Sequence, residues 1–275
     1  MEQKKYTYED FIEIIRMLRS ENGCPWDKSQ TYESMKKCLA NETEEVFQAI
    51  DNQDMDNLCE ELGDVLMQVA FHSQIETERG RFTMDDVVDG VTQKLVYRHP
   101  HVFGTATAAD SAEVLVNWEI LKRKEKRQDS TADAVESVPH TLPALWRAEK
   151  IGSKTAKAGF DWDSALSALG KLEEEVRELR TALEAGGAPD GPHGVREELG
   201  DLLFIAAKIG QMTGVDPEDA LHRSCDKYNA RFRRVEALAD KPLSQYTEAE
   251  LIALWKQAKE GQAEEAVKNA PGDGV

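Results

Sequence analysis

Apolar residues recur three and four positions apart along almost the whole chain, and no stretch alternates apolar and polar positions. That period belongs to helices that bury one face, so the fold class read from the sequence is all-α. The pattern predicts a short helix over residues 8–20, broken by ENGCPWDKSQ, and a second from about Tyr32 to Ile50. A longer one follows the polar break DNQDMD, over roughly 55–79. Thr83 and Asp86 form a capping box for a helix over 84–98, which HPHVFG stops, and a fifth helix over 112–127 ends in the basic run KRKEKR.

From Gln128 the chain turns polar and loses its period, with Pro139 and Pro143 at the end of the stretch, which predicts a linker over 128–142. The helical pattern resumes in LPALWRAEKIGSKTAKAG, with Gly159 as its C′ residue. Helices over 164–185 and 195–212 flank the loop EAGGAPDGPHG. Asp216 and Pro217 supply an N-cap and first-turn proline for a helix to about Leu238, and Thr247 with Glu250 caps a last helix carrying Trp255. Residues beyond 261 are small and polar and are expected to fray.

The two halves repeat. LANETEEV and EELGDVLMQVA in the first half answer GKLEEEVREL and EELGDLLFIAA in the second. About 26 to 30 residues after each ELGD aspartate stands a basic pair at i, i+4, Lys94/Arg98 and then Lys227/Arg231. The organisation read from this is two tandem helical-bundle domains related by duplication, 1–127 and 143–260, with a flexible tail over 261–275.

Composition narrows the partners. The formal net charge of −18 argues against passive binding to nucleic acid or to an anionic membrane. No apolar run approaches the roughly 20 residues that span a bilayer, and MEQKKYTYEDF lacks a signal-peptide apolar core. Cysteines 24, 38, 59 and 225 show neither CxxC nor zinc spacing, so reduced thiols in a cytoplasmic protein are expected.

The candidate chemistry lies in the repeated acids. On helices, Glu175/Glu178 and Glu198/Asp201 each share a face, as do Glu42/Glu45 and Glu61/Asp64. Each ELGD heads an apolar helix, so these acids border buried surface, and glycines 63 and 200 suggest close approach of another helix. Four pooled carboxylates repel unless a proton or a cation intervenes. An all-oxygen set without His or Cys favours Mg²⁺, with Mn²⁺ as a substitute, over zinc. Histidines 72, 99, 101, 140, 193 and 222 show no ligand spacing. A cation beside Lys171, Lys227 and Arg231 suits a polyphosphate, and Trp255 offers a stacking surface or simply a core ring.

The segments CPWDKSQTYESM, NETEEV, EELGD, KLVYRHPHVFG, LPAL, GFDW and KYNARF together resemble the MazG nucleoside triphosphate pyrophosphohydrolases, in order over roughly residues 8–258. The resemblance implies an all-α NTP pyrophosphatase fold, a homodimer, and Mg²⁺-dependent conversion of broad or non-canonical NTPs and dNTPs to monophosphate plus pyrophosphate, a nucleotide housecleaning role. It places the metal on Glu175, Glu178, Glu198 and Asp201 and the EExxE motif on Glu174, Glu175 and Glu178. The nucleotide would be surrounded by Lys171, Leu172, Glu173, Glu174 and Glu175, and by Gly194, Val195, Arg196, Glu197 and Asp201. Lys227, Tyr228, Asn229, Ala230, Arg231 and Trp255 would complete that shell. Catalytic duty falls to Glu174 or Glu175 on the attacking water and to Lys227 and Arg231 on the leaving group.

Two departures matter. Asn41 stands where the first half's leading Glu belongs, which leaves Glu42, Glu45, Glu61 and Asp64 as metal ligands, with Lys94 and Arg98 as a secondary site. The second domain is therefore expected to be the principal active site. Gly194 in turn stands where a basic residue would help hold phosphate. Two other classes explain less. A ferritin-like di-metal oxidase needs ExxH motifs, which are absent, and an acidic helical adaptor does not explain duplicated acid and base spacing.

Overall fold

The computed structural model describes residues 4–191 and 193–268, with side chains through Gly261. All regular structure among these residues is helical. Two compact units divide the chain, Met1–Lys122 and Arg123–Val275.

The first unit begins with α1 (Tyr8–Leu18), α2 (Pro25–Ser29), α3 (Tyr32–Asp51) and α4 (Met55–Glu78). It continues with α5 (Met84–Arg98), α6 (Pro100–Phe103) and α7 (Ser111–Glu125), whose last turn crosses the division. Thr7 with Asp10, Thr31 with Ser34 and Thr83 with Asp86 close capping boxes, so each helix starts where a side chain takes over its orphan amides. α3 packs along α4, and α1 crosses α4, around a core of Ile15, Met35, Ala70, Phe71 and Ile75. Buried Arg19 locks this corner: its Nε and Nη2 meet Glu78 at 2.9 and 2.8 Å, and its Nη1 donates to the carbonyls of Asp27 and Gln30.

The second unit holds α8 (Thr131–Glu136), α9 (Ala144–Ala156), α10 (Ala165–Glu184), α11 (Val195–Thr213), α12 (Pro217–Leu238) and α13 (Glu248–Lys268). α10 lies along α11, α9 packs on α11 and α12, and α12 pairs with α13. Asp216 takes the amides of Glu218 and Asp219 and also the indole N–H of Trp146 at 3.0 Å, which ties the start of α12 to α9. Gly159, with φ +85°, turns the chain out of α9 in the left-handed region that glycine tolerates.

Two features differ from the sequence reading. The polar stretch 128–142 carries α8, capped by Ser130 and Asp133, with Ala134 and Val138 buried and the helix packed on α9. A six-residue helix is too short to show a period, and its polarity hid it. At the other end α13 continues through Lys268, past the point where fraying is expected; residues 269–275 lie outside the described chain.

Candidate active site

Helix register brings the acids of the second unit together. Glu175 on α10 and Glu198 on α11 are 4% and 2% exposed, at the seam where the two helices pack. One carboxylate oxygen each from Glu175, Glu198 and Asp201 falls within a 4.8 Å group. Glu178, one turn along α10, is exposed but feels the others. Partial loss of water pushes its pKa up; Lys171 opposes this, while the charges of Glu175, Glu198 and Glu174 add to it. Two buried acids and two nearby ones concentrate negative charge that a bound cation would compensate. The set therefore fits a hard divalent ion held by Glu175, Glu198 and Asp201, with Glu178 within electrostatic reach.

Lys171 partly answers that need from within the chain. Its Nζ sits 3.0 Å from Glu174 and 2.8 Å from Glu175, the i+3 and i+4 positions of its own helix, and the two carboxylates hold its pKa above the ordinary value. His193 shows no ligand spacing in the sequence, yet it reaches the site. The loop turns back at His193 (φ +57°), which puts Nδ1 3.2 Å from Glu198, while its backbone N–H donates to Glu197 at 2.7 Å. Linear spacing cannot register a side chain that a loop turn delivers.

The glycine expectation fails. A Cβ at Gly63 or Gly200 would meet nothing within 4 Å, so neither glycine marks a helix crossing among the described residues. Gly194 is the buried N-cap of α11, where an added Cβ would come within 3.0–3.3 Å of three loop carbonyls. Arg196 beside it pairs with Asp190 at 2.8 Å.

Of the remaining nucleotide candidates, Leu172 and Glu173 lie on α10 beside Lys171. Lys227, Asn229 and Ala230 are exposed on α12, and no contact among the described residues joins Lys227 to the acids. Tyr228 and Arg231 gather on Trp255 of α13 instead: the rings of Tyr228 and Trp255 are 4.9 Å apart, and the Arg231 guanidinium lies 5.7 Å from the indole centroid. Trp255 is half-buried in this cationic–aromatic cluster.

The first unit repeats the arrangement with changes. Glu42, Glu45 and Glu61 offer oxygens within 4.8 Å of one another, and Asp64 acts electrostatically on Glu42 and Glu61. Burial raises the pKa of both Glu42 and Glu61, with the neighbouring acids adding to it. The position matching Lys171 is Cys38, so no lysine stands at that place on α3. Glu61 is 8% exposed and its Oε2 is buried without a hydrogen-bond partner; so is Oε1 of Gln68, whose amide nitrogen is 3.4 Å from Glu42. Orphaned buried oxygens aimed at an acid cluster are what a cation would satisfy. Arg98 lies over Trp118 at 5.2 Å, with Lys122 4.6 Å from the same ring, so both units set the arginine of the basic pair on a tryptophan.

These features define a duplicated all-α protein with one carboxylate cluster per repeat at a helix–helix seam. The MazG nucleotide pyrophosphohydrolase domain matches it twice, at residues 30–103 and 163–235. The chain is 38% identical over 264 residues to a nucleoside triphosphate pyrophosphohydrolase/pyrophosphatase MazG of Thermotoga maritima, covering 95% of this chain and 99% of that one. It is 39% identical over 252 residues to the nucleoside triphosphate pyrophosphohydrolase of Escherichia coli K12, covering 90% and 95%. A Bacillus subtilis protein called YabN is 41% identical over 266 residues, 94% of this chain and 54% of that one. The chain belongs to the MazG nucleotide pyrophosphohydrolase family.

Proposed function

We propose that the second unit hydrolyses nucleoside triphosphates, NTPs and dNTPs of broad or non-canonical base, to monophosphate and pyrophosphate in a Mg²⁺-dependent reaction, as part of nucleotide housecleaning. The observation that carries this is the buried pairing of Glu175 and Glu198 with Asp201 at the α10–α11 seam, in a chain whose relatives are named for that activity.

A divalent cation bound at this cluster supplies charge neutralisation for the triphosphate. The chain's own residues do the rest. Glu174 is exposed and shares Lys171 with Glu175, so it is free to orient or deprotonate a water once Lys171 shifts onto phosphate. Lys227 and Arg231 stabilise charge growing on pyrophosphate, with Trp255, itself packed against Tyr228, beneath the guanidinium. Positioning and electrostatics suffice for phosphoryl transfer, so no covalent nucleophile is required.

The same proposal includes a homodimer. Leu62 and Leu66 of α4 and Val88, Val91 and Leu95 of α5 are exposed, a run of apolar surface that a second copy would cover. The open space over Gly63 supports the same reading. A cytoplasmic setting is supported by four free cysteines, and no described helix is long and apolar enough to cross a membrane. The test is pyrophosphate release from a panel of NTPs and dNTPs with and without Mg²⁺. Release that persists in EDTA overturns the metal dependence, and no release from any nucleotide overturns the activity.

A further inference from the structure

The two carboxylate clusters part company one helical turn past their aspartates. On α4, Glu61 and Asp64 are followed by Gln68, whereas on α11 Glu198 and Asp201 are followed at the same spacing by Ile205. Positions i, i+3 and i+7 share one helix face. Gln68 is 4% exposed and Ile205 is 6% exposed. A buried isoleucine needs no partner, but a buried amide does, on both its nitrogen and its oxygen.

Gln68 meets only half of that need. Its Nε2 donates to Oε1 of Glu42 at 3.4 Å, while its own Oε1 is buried with no partner among the described residues. Oε2 of Glu61, on a residue 8% exposed, is buried and unpartnered as well. One orphaned oxygen thus sits on a member of the group formed by Glu42, Glu45 and Glu61. The other sits on an amide that touches a second member. Beside three carboxylates, a cation completes such acceptors better than a neutral donor does. The amide is able to present either end, because its last torsion is broad and roughly two-fold. Without a cation the nitrogen faces Glu42; rotation puts the oxygen in its place.

We propose that Gln68 is an oxygen ligand to a divalent cation of the Ca²⁺ class at the first cluster, and that this ion clips α3 to α4 without taking part in hydrolysis. Glu42 and Glu45 supply it from α3, and Glu61 and Gln68 from α4. Ca²⁺ accepts about 6–8 oxygens in flexible geometry, glutamine carbonyls among them. Mg²⁺ demands an octahedron, keeps several waters, and is held by one or two carboxylates together with substrate phosphates. The second cluster suits that Mg²⁺ pattern, since Ile205 offers no ligand and Lys171 already pairs with Glu175. The first cluster has the additional amide oxygen and Cys38 in the lysine's place, so an ion there needs no phosphate. The inference is independent of the hydrolytic reading of the second unit, and its test uses no nucleotide.

The test titrates Ca²⁺ and, separately, Mg²⁺ into the full chain by calorimetry, in a Glu198→Gln background that silences the second cluster. One Ca²⁺ per chain is expected, bound at least about tenfold more tightly than Mg²⁺. The melting temperature should rise with Ca²⁺, because only the folded chain brings the four ligands together. Gln68→Leu, which gives the first unit an apolar residue as at Ile205, should weaken Ca²⁺ binding by about tenfold or more. Tb³⁺ stands in for Ca²⁺ in a second readout: its luminescence lifetimes in H₂O and D₂O count bound waters, and Gln68→Leu should gain one. The proposal is overturned by a parent chain that binds no Ca²⁺, by Mg²⁺ binding as tight as Ca²⁺ binding, or by a Gln68→Leu chain with unchanged affinity or water count. Should Gln68→Leu fail to fold by circular dichroism, Gln68→Asn, which draws the amide back by one methylene, is judged by the same readouts.

Discussion

The Nζ of Lys171 lies 2.8 Å from Glu175, an acid 4% exposed at the heart of the second carboxylate cluster. In the first unit the matching position is Cys38, and the cluster there keeps an orphaned buried oxygen on Glu61. The two repeats thus differ in how their negative charge is met, beyond the Asn41 that replaces Glu174's counterpart.

Lys171→Met should separate these effects. The lysine is about a third exposed, so the ion pair contributes less than about 1 kcal/mol to folding. Pyrophosphate release, by contrast, should fall by roughly ten- to a hundredfold, the range seen for groups that orient metal ligands. Thermal melts and steady-state kinetics on one preparation check both halves.

Glu175→Gln and Asp201→Asn should reduce turnover by more than about a hundredfold, since a direct ligand costs more than its supporting partner. Both proteins should elute at the wild-type volume on size exclusion and melt at or above the wild-type temperature, because each removes a charge from a self-repelling group. Turnover within tenfold of wild type would remove these acids from the mechanism.

If both clusters take a divalent ion, Mn²⁺ titration followed by electron paramagnetic resonance should show two classes of site per chain. Glu198→Gln should delete one and Glu61→Gln the other. Pyrophosphate release should vanish only with the Glu198 change, since the first unit lacks counterparts of both Glu174 and Lys171.

Asp161→Ala should cost about 3–5 kcal/mol, because it strands the buried ammonium of Lys208. The pH dependence follows from the Asp161 pKa, which the Lys208 hydrogen bond depresses. The folded state binds that proton less readily than the unfolded one, so the stabilisation is complete above the ordinary value of 3.8 and is lost as pH falls through the folded value. Denaturant midpoints of wild type and Asp161→Ala should therefore differ by a constant amount near neutral pH and converge below about pH 4.

The repeat, the helices and the shared faces of the acids were legible because each depends on local order. A period near 3.6 fixes which residues share a face, but which carboxylates meet is settled by packing, since Glu178 and Asp64 lie outside the 4.8 Å groups. Glu42 and Glu45 could be paired by counting, and Thr83, Asp216 and Thr247 announced their helices through caps. Helix α8 escaped because six residues show no period and its few buried side chains are set by α9, not by its own sequence.

Tertiary structure decided what counting cannot reach. Lys208 reads as a polar break in an apolar helix until Asp161, 47 positions away in the chain by their numbering, comes to 2.8 Å of it. His193 joins Glu198 only because the loop folds back, and Trp118 becomes the partner of Arg98 only where their helices place ring and guanidinium together. The sequence determined two helical repeats, each with its quartet of acids, since these follow from bonds along the backbone. Which acid carries a lysine and which is left orphaned depend on how helices distant in the chain pack, because burial and charge compensation act through space.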